Sequence, residues 1–133
     1  METKHLTLGV VQIDSEVGNI SANLEHAGEL VEAAARQGAQ IVVTPELMPC
    51  GYTLTEAIWD YAEPFDGRTV AWLTRLSQQL DIFLGTSFLE ACGEDFYNTF
   101  ALAAPDGSIA GKCVRTPRPH WKPISTAAAT VRM

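Results

Sequence analysis

No run in this chain is long and apolar enough to span a bilayer, and no basic segment followed by an apolar one precedes its first ordered stretch. Met1-Glu2-Thr3-Lys4-His5 leads straight into an apolar strand, so a cytoplasmic protein with no membrane partner is expected. Cysteine is scarce. Cys50, Cys92 and Cys113 are odd in number and lack C-x-x-C spacing, so neither a disulfide framework nor a zinc site is indicated. His5, His26 and His120 stand far apart without ligand-like spacing, so no metal is expected. Positive charge is short as well. Nine Lys and Arg against sixteen Asp and Glu leave a net charge of −7, which argues against nucleic acid or an anionic membrane as partner. Charged residues make up 19% of the chain, below the usual ~25%, as for a surface meant to be partly covered. A small nucleotide-binding domain is disfavoured, because no Gly-rich turn joins the first strand to its helix in the phosphate-cradling pattern.

What is present suits one α/β domain. The 133 residues are 47% hydrophobic, with no internal repeat or low-complexity tract. His5 to Ile13 alternates and then runs apolar, as a buried strand does. Asp14 to Asn19 is a turn, and from Ser21 the residues Leu24, Ala27, Leu30, Val31, Ala34 and Ala35 fall at helical spacing. Gly38 is placed to close that helix in a left-handed conformation. A second strand is predicted over Ala39 to Val43, a short helix around Thr55 to Tyr61 and a longer helix over Arg68 to Leu80. Ile82 to Phe88 reads as a third buried strand, and Phe96 to Ala104 with Ser108 to Gly111 flank the turn Pro105-Asp106-Gly107 as a hairpin. Strand–helix–strand–helix–strand followed by a hairpin is an α/β layered pattern. Trp72, Tyr97 and Phe100 are predicted core residues.

Chemistry concentrates in Val42-Val43-Thr44-Pro45-Glu46-Leu47-Met48-Pro49-Cys50-Gly51-Tyr52. Pro45 cannot donate to a ladder, so the second strand ends there and delivers Glu46 to the mouth of a buried strand. Desolvation at such a place favours a general base. A solvated loop acid after an ordinary strand end fits the local chemistry equally well.

Thr44-Pro45-Glu46-Leu47 followed by Gly51-Tyr52 resembles the first catalytic segment of the nitrilase superfamily of carbon–nitrogen hydrolases. Leu8-Gly9-Val10-Val11-Gln12 with Asn23-Leu24 is similar to that family's opening strand and first helix. Phe96-Tyr97-Asn98-Thr99, Pro105-Asp106-Gly107 and Gly111-Lys112 resemble its hairpin before the catalytic lysine. The resemblance covers about residues 6 to 112 in the family's order. It implies the N-terminal half of a four-layer α-β-β-α sandwich, here residues 1–112, with no cofactor and with assembly into homo-oligomers through helix faces. It also implies a small amide, nitrile or N-carbamoyl substrate, cleaved by a Glu-Lys-Cys triad. Glu46 matches the glutamate. The lysine belongs at the end of a string like G-K-x-R-K, and Arg115 occupies that place in Gly111-Lys112-Cys113-Val114-Arg115. Tyr52 is a candidate substrate contact beside Glu46, or else a packed loop aromatic.

The family's nucleophile comes well downstream of the lysine. Cys113 precedes that position, Cys92 falls in a turn-like stretch before the hairpin, and no family pattern places a nucleophile at Cys50. This chain alone is therefore expected to be inactive. Residues 113–133 resemble nothing in the family and are expected to be a disordered tail, with Pro117, Pro119 and Pro123 preventing helix before Ala127-Ala128-Ala129. One base lost at the Lys112 codon accounts for this. Restoring the frame turns Lys-Cys-Val-Arg into Lys-Val-Arg-Lys and opens the stretch from His120 to Ser125 to Leu-Glu-Ala-Tyr-Phe-Tyr. A natural divergent C-terminus is the alternative, and the nucleotide sequence around that codon separates the two. A non-catalytic binding or assembly module derived from the same fold is the other functional class that fits a missing nucleophile.

Overall fold

A computed structural model describes residues 4–115. The chain runs β1 (Leu8–Val10), α1 (Ile20–Arg36), β2 (Ile41–Val43), a 3-10 turn (Glu56–Tyr61), α2 (Arg68–Leu80), β3 (Phe83–Cys92), β4 (Asp95–Ala103) and β5 (Ile109–Arg115). The strands form one sheet in the order β1-β2-β3-β4-β5. The first three are parallel, joined through the helices, and β3, β4 and β5 are antiparallel neighbours.

Asn19 starts α1 by accepting the Ala22 N–H on its side-chain oxygen at 3.3 Å. Leu24, Ala27 and Val31 then bury one helix face. Gly38 follows with φ +90°, the left-handed turn expected of it. α2 ends differently: Asp81, not a glycine, takes the left-handed conformation at φ 55°. The helices meet beside Gly28, where the Trp72 indole and Leu76 pack within ordinary contact distance of where its Cβ would be. Trp72 is buried as predicted. Both helices cover one face of the sheet, over Val42, Leu84, Phe88, Ala101 and Ala103.

Among the described residues the other face is largely bare. Gly9 faces α1, against Ala34, so strand alternation turns Leu8 and Val10 away from the helices. Those two side chains are 59% and 65% exposed, and Phe83, in the same cross-strand row as Leu8 and Ile41, is also exposed. This is one helical layer on one sheet, the α/β architecture predicted as half of a sandwich.

Several boundaries differ from expectation. β1 is three residues long, not His5 to Ile13, because β2, its partner among the described residues, is equally short. β3 runs past Phe88 to Cys92 and turns through Gly93-Glu94 into β4, so Cys92 ends a strand opposite Asp95. Gly93 takes φ +62° there. β5 continues through Cys113, Val114 and Arg115, in register with Phe100, Thr99 and Asn98, so these three residues are strand and not tail. The remaining tail predictions fall on residues 116–133, outside the described residues.

Candidate active site around Glu46

β2 ends as Pro45 dictates, with the Thr44 N–H still donating to the Gly85 carbonyl at 3.0 Å. The chain turns sharply after it. Leu47 adopts φ 52°, a left-handed conformation unusual for a branched side chain, directly after Glu46. Leu47 and Met48 drive their side chains into the core. Asn23 holds the loop from α1, donating to the carbonyls of Glu16 and Pro49 at 2.8 and 2.9 Å. The Leu47 N–H donates to Ser87 Oγ at 2.8 Å.

This places Glu46 over the bare face of the sheet, at a pocket of about 310 Å³. It is lined by Thr44 after β2, Ser87 of β3, Asn98 and Phe100 of β4, and Cys113 and Arg115 of β5. Asn98 Nδ2 donates to Glu46 Oε1 at 2.6 Å. Arg115 Nη1 lies 4.0 Å from the same oxygen, and the two side chains are 81% and 54% exposed. The structure thus brings Glu46 and Arg115 together. The burial expected of Glu46 is absent, because nothing among the described residues covers that face of the sheet.

The other candidates lie elsewhere. Tyr52 is 63% exposed and is not among the residues lining the pocket. Lys112, the second cation of β5, points to the opposite face: its Nζ lies 2.7 Å from Glu90 Oε1 and 4.1 Å from the centre of the Phe65 ring. Glu90 is buried and also accepts from Thr99 Oγ1 at 2.6 Å. The strand period of two therefore selects Arg115, not Lys112, for the pocket. Cys50 is buried, its thiol donating to the Leu47 and Gly51 carbonyls, and burial pushes that thiol up to about 11. At neutral pH it therefore stays protonated. Among the described residues no group of three or more His, Cys, Asp or Glu side chains could hold a metal, and no helix is long and apolar enough to cross a membrane.

Asn98, Ser87 and Cys113 were not assigned to a site from sequence. Phe100, a predicted core residue, lies with its ring against Gly85, where a Cβ would meet it at 2.5 Å, and lines the pocket. The cross-strand register pairs Phe100 with both Ser87 and Cys113. Sequence order conceals that adjacency.

A mixed α/β sheet with helices on one face and an acid after a proline-terminated parallel strand defines a layered α/β domain with a carboxylate at the mouth of its sheet. The family model for carbon–nitrogen hydrolases matches residues 7–121, and the chain belongs to that family. It is 37% identical over 110 residues to an omega-amidase of Mus musculus, an alignment taking in 82% of this chain and 38% of that protein. An omega-amidase of Xenopus laevis is 38% identical over 90 residues, which are 67% of this chain and 32% of that one. The chain thus spans about a third of the length of these relatives. A carbon–nitrogen hydrolase of Helicobacter pylori superposes with a TM-score of 0.76 at 26% identity, over 86% of this chain and 41% of that one. A superfamily member of Xanthomonas campestris, solved with an arsenic adduct in its active site, gives 0.75 at 27% identity, over 85% and 41% of the two chains.

Proposed function

We propose that this chain carries the base-and-cation half of an amide-hydrolysing site acting on a small ω-amide. Glu46 takes the proton from an attacking thiol, and the thiolate adds to the amide carbon. Arg115 stabilises the oxyanion that develops on the carbonyl oxygen. Glu46 then returns the proton to the departing ammonia, leaving a thioester. Water, deprotonated by the same carboxylate, releases the acid and regenerates the thiol. Arginine keeps its proton throughout, so Arg115 contributes charge alone.

The observation that carries this reading is the carboxylate of Glu46 fixed at a pocket with a cation 4.0 Å away. The omega-amidase relatives support the choice of substrate class. None of the three cysteines takes the family's nucleophile position, so the chain by itself releases no ammonia. Tyr52 contacts substrate only if it swings towards the pocket.

The test is ammonia release from a small ω-amide by this chain supplied with the remaining length of a related omega-amidase. Turnover that Glu46→Gln abolishes supports the reading; turnover that survives it ends the assignment. A second reading, a non-catalytic binding or assembly module, is favoured by the open apolar face carrying Leu8, Val10 and Phe83. It requires a defined oligomer and a cooperative melt without hydrolysis in either format.

A further inference from the structure

We propose that Asn98 and Ser87 are the positioning residues of Glu46, Asn98 for its carboxylate and Ser87 for the backbone beside it. The inference rests on the reading of Glu46 as the base.

The backbone after Glu46 is not at rest by itself. Leu47 sits at φ 52°, a conformation that costs a residue with a Cβ free energy and persists only where its surroundings over-determine it. Two things do so here. Its side chain and that of Met48 are buried, and its N–H is captured by the buried Ser87 hydroxyl at 2.8 Å. Without that acceptor the N–H would be a buried donor lacking a partner. Ser87 is thus the polar tie between the base loop and the middle of β3.

The carboxylate needs its own constraint, because more than half of the Glu46 side chain is exposed. Arg115 cannot supply it: at 4.0 Å and 81% exposure, a long flexible side chain in water fixes little. Asn98 can. Its side chain is short, it stands on β4 between paired neighbours, and its amide reaches Oε1 at 2.6 Å. A hydrogen bond to an ionised acceptor is stronger than one between neutral groups. Both Asn98 and Arg115 use Oε1. Oε2 has no partner among the described residues and is the oxygen presented for the proton.

Nuclear magnetic resonance on the whole chain tests this without requiring turnover. The Asn98 side-chain amide should shift with pH through one carboxylate titration, and the shift should vanish in Glu46→Gln. In Asn98→Ala, Glu46 should pass from one side-chain rotamer to averaging while the melting temperature holds. A merely structural asparagine would show the reverse. In Ser87→Ala the Leu47 amide should exchange faster by roughly tenfold or more, and Ser87→Thr should restore its protection. An Asn98 amide indifferent to pH, or a Glu46 rotamer unchanged in Asn98→Ala, overturns the role of Asn98. Unchanged Leu47 exchange overturns that of Ser87. If Ser87→Ala does not fold, Ser87→Thr decides by whether Leu47 keeps its protection. If the complemented enzyme keeps its activity in Glu46→Gln while Asn98 still follows the titration, the role of Glu46 as base fails and the hydrogen bond stands.

Discussion

Arg115 stands where the family resemblance calls for a lysine, and its guanidinium is nearly all in water. An ion pair so exposed contributes about 0–1 kcal/mol, so Arg115→Ala should barely move the melting temperature. Arg115→Lys, assayed in the complemented enzyme, should raise kcat, because an ammonium is compact and can exchange a proton. Cysteine labelling separates the three thiols. Burial and a thiol pushed up to about 11 should keep Cys50 unreactive towards iodoacetamide in the folded chain, while the exposed Cys92 reacts first, as intact-mass analysis would show. Glu46 was legible in the sequence because Pro45 announces the strand end and the string around it resembles a family motif. Asn98 carried no such signal for its partner. The two residues are 52 apart in sequence, and only the register of β4 in the sheet brings them together.

The β4–β5 hairpin turns on Asp106, whose carboxylate accepts from the Ser108 hydroxyl and N–H at 2.6 and 2.9 Å. Those bonds, the hydroxyl first, hold its carboxyl below the usual range. A folded-state value below the unfolded one gives stability present at neutral pH and lost as pH falls through the folded value. Ser108→Ala should therefore lower the melting temperature in neutral buffer and converge with the parent chain in strong acid. Gly85 makes a different demand. A methyl there would lie 2.5 Å from the Phe100 ring edge, so Gly85→Ala should cost about 1–3 kcal/mol in a denaturant melt as the ring is forced towards the pocket. The helices and this hairpin were readable from apolar spacing and turn chemistry. The β3–β4 hairpin was legible only as a turn-like stretch at Cys92, since nothing in Cys92-Gly93-Glu94-Asp95 shows that the strands on either side pair through a two-residue turn.

Among the described residues, one bare sheet face and two open sheet edges, the outer sides of β1 and β5, follow from one layer of helices on one sheet. Composition had hinted at it through the low charged fraction, but which residues lie on that face depends on the strand register. Apolar strands open to water invite self-association. Light scattering should show the chain associating with rising concentration, and Val10→Lys, a change that leaves the helix-covered core alone, should reduce it. The same open face explains why Glu46 is half in solvent: the side of the pocket away from the sheet is not built from residues 4–115. The most direct measurement is therefore ammonia release from a small ω-amide by this chain complemented with the remainder of an omega-amidase, compared with its Glu46→Gln counterpart. The account expects kcat to fall by roughly 10²–10⁴-fold in the Gln variant; an unchanged kcat would contradict it.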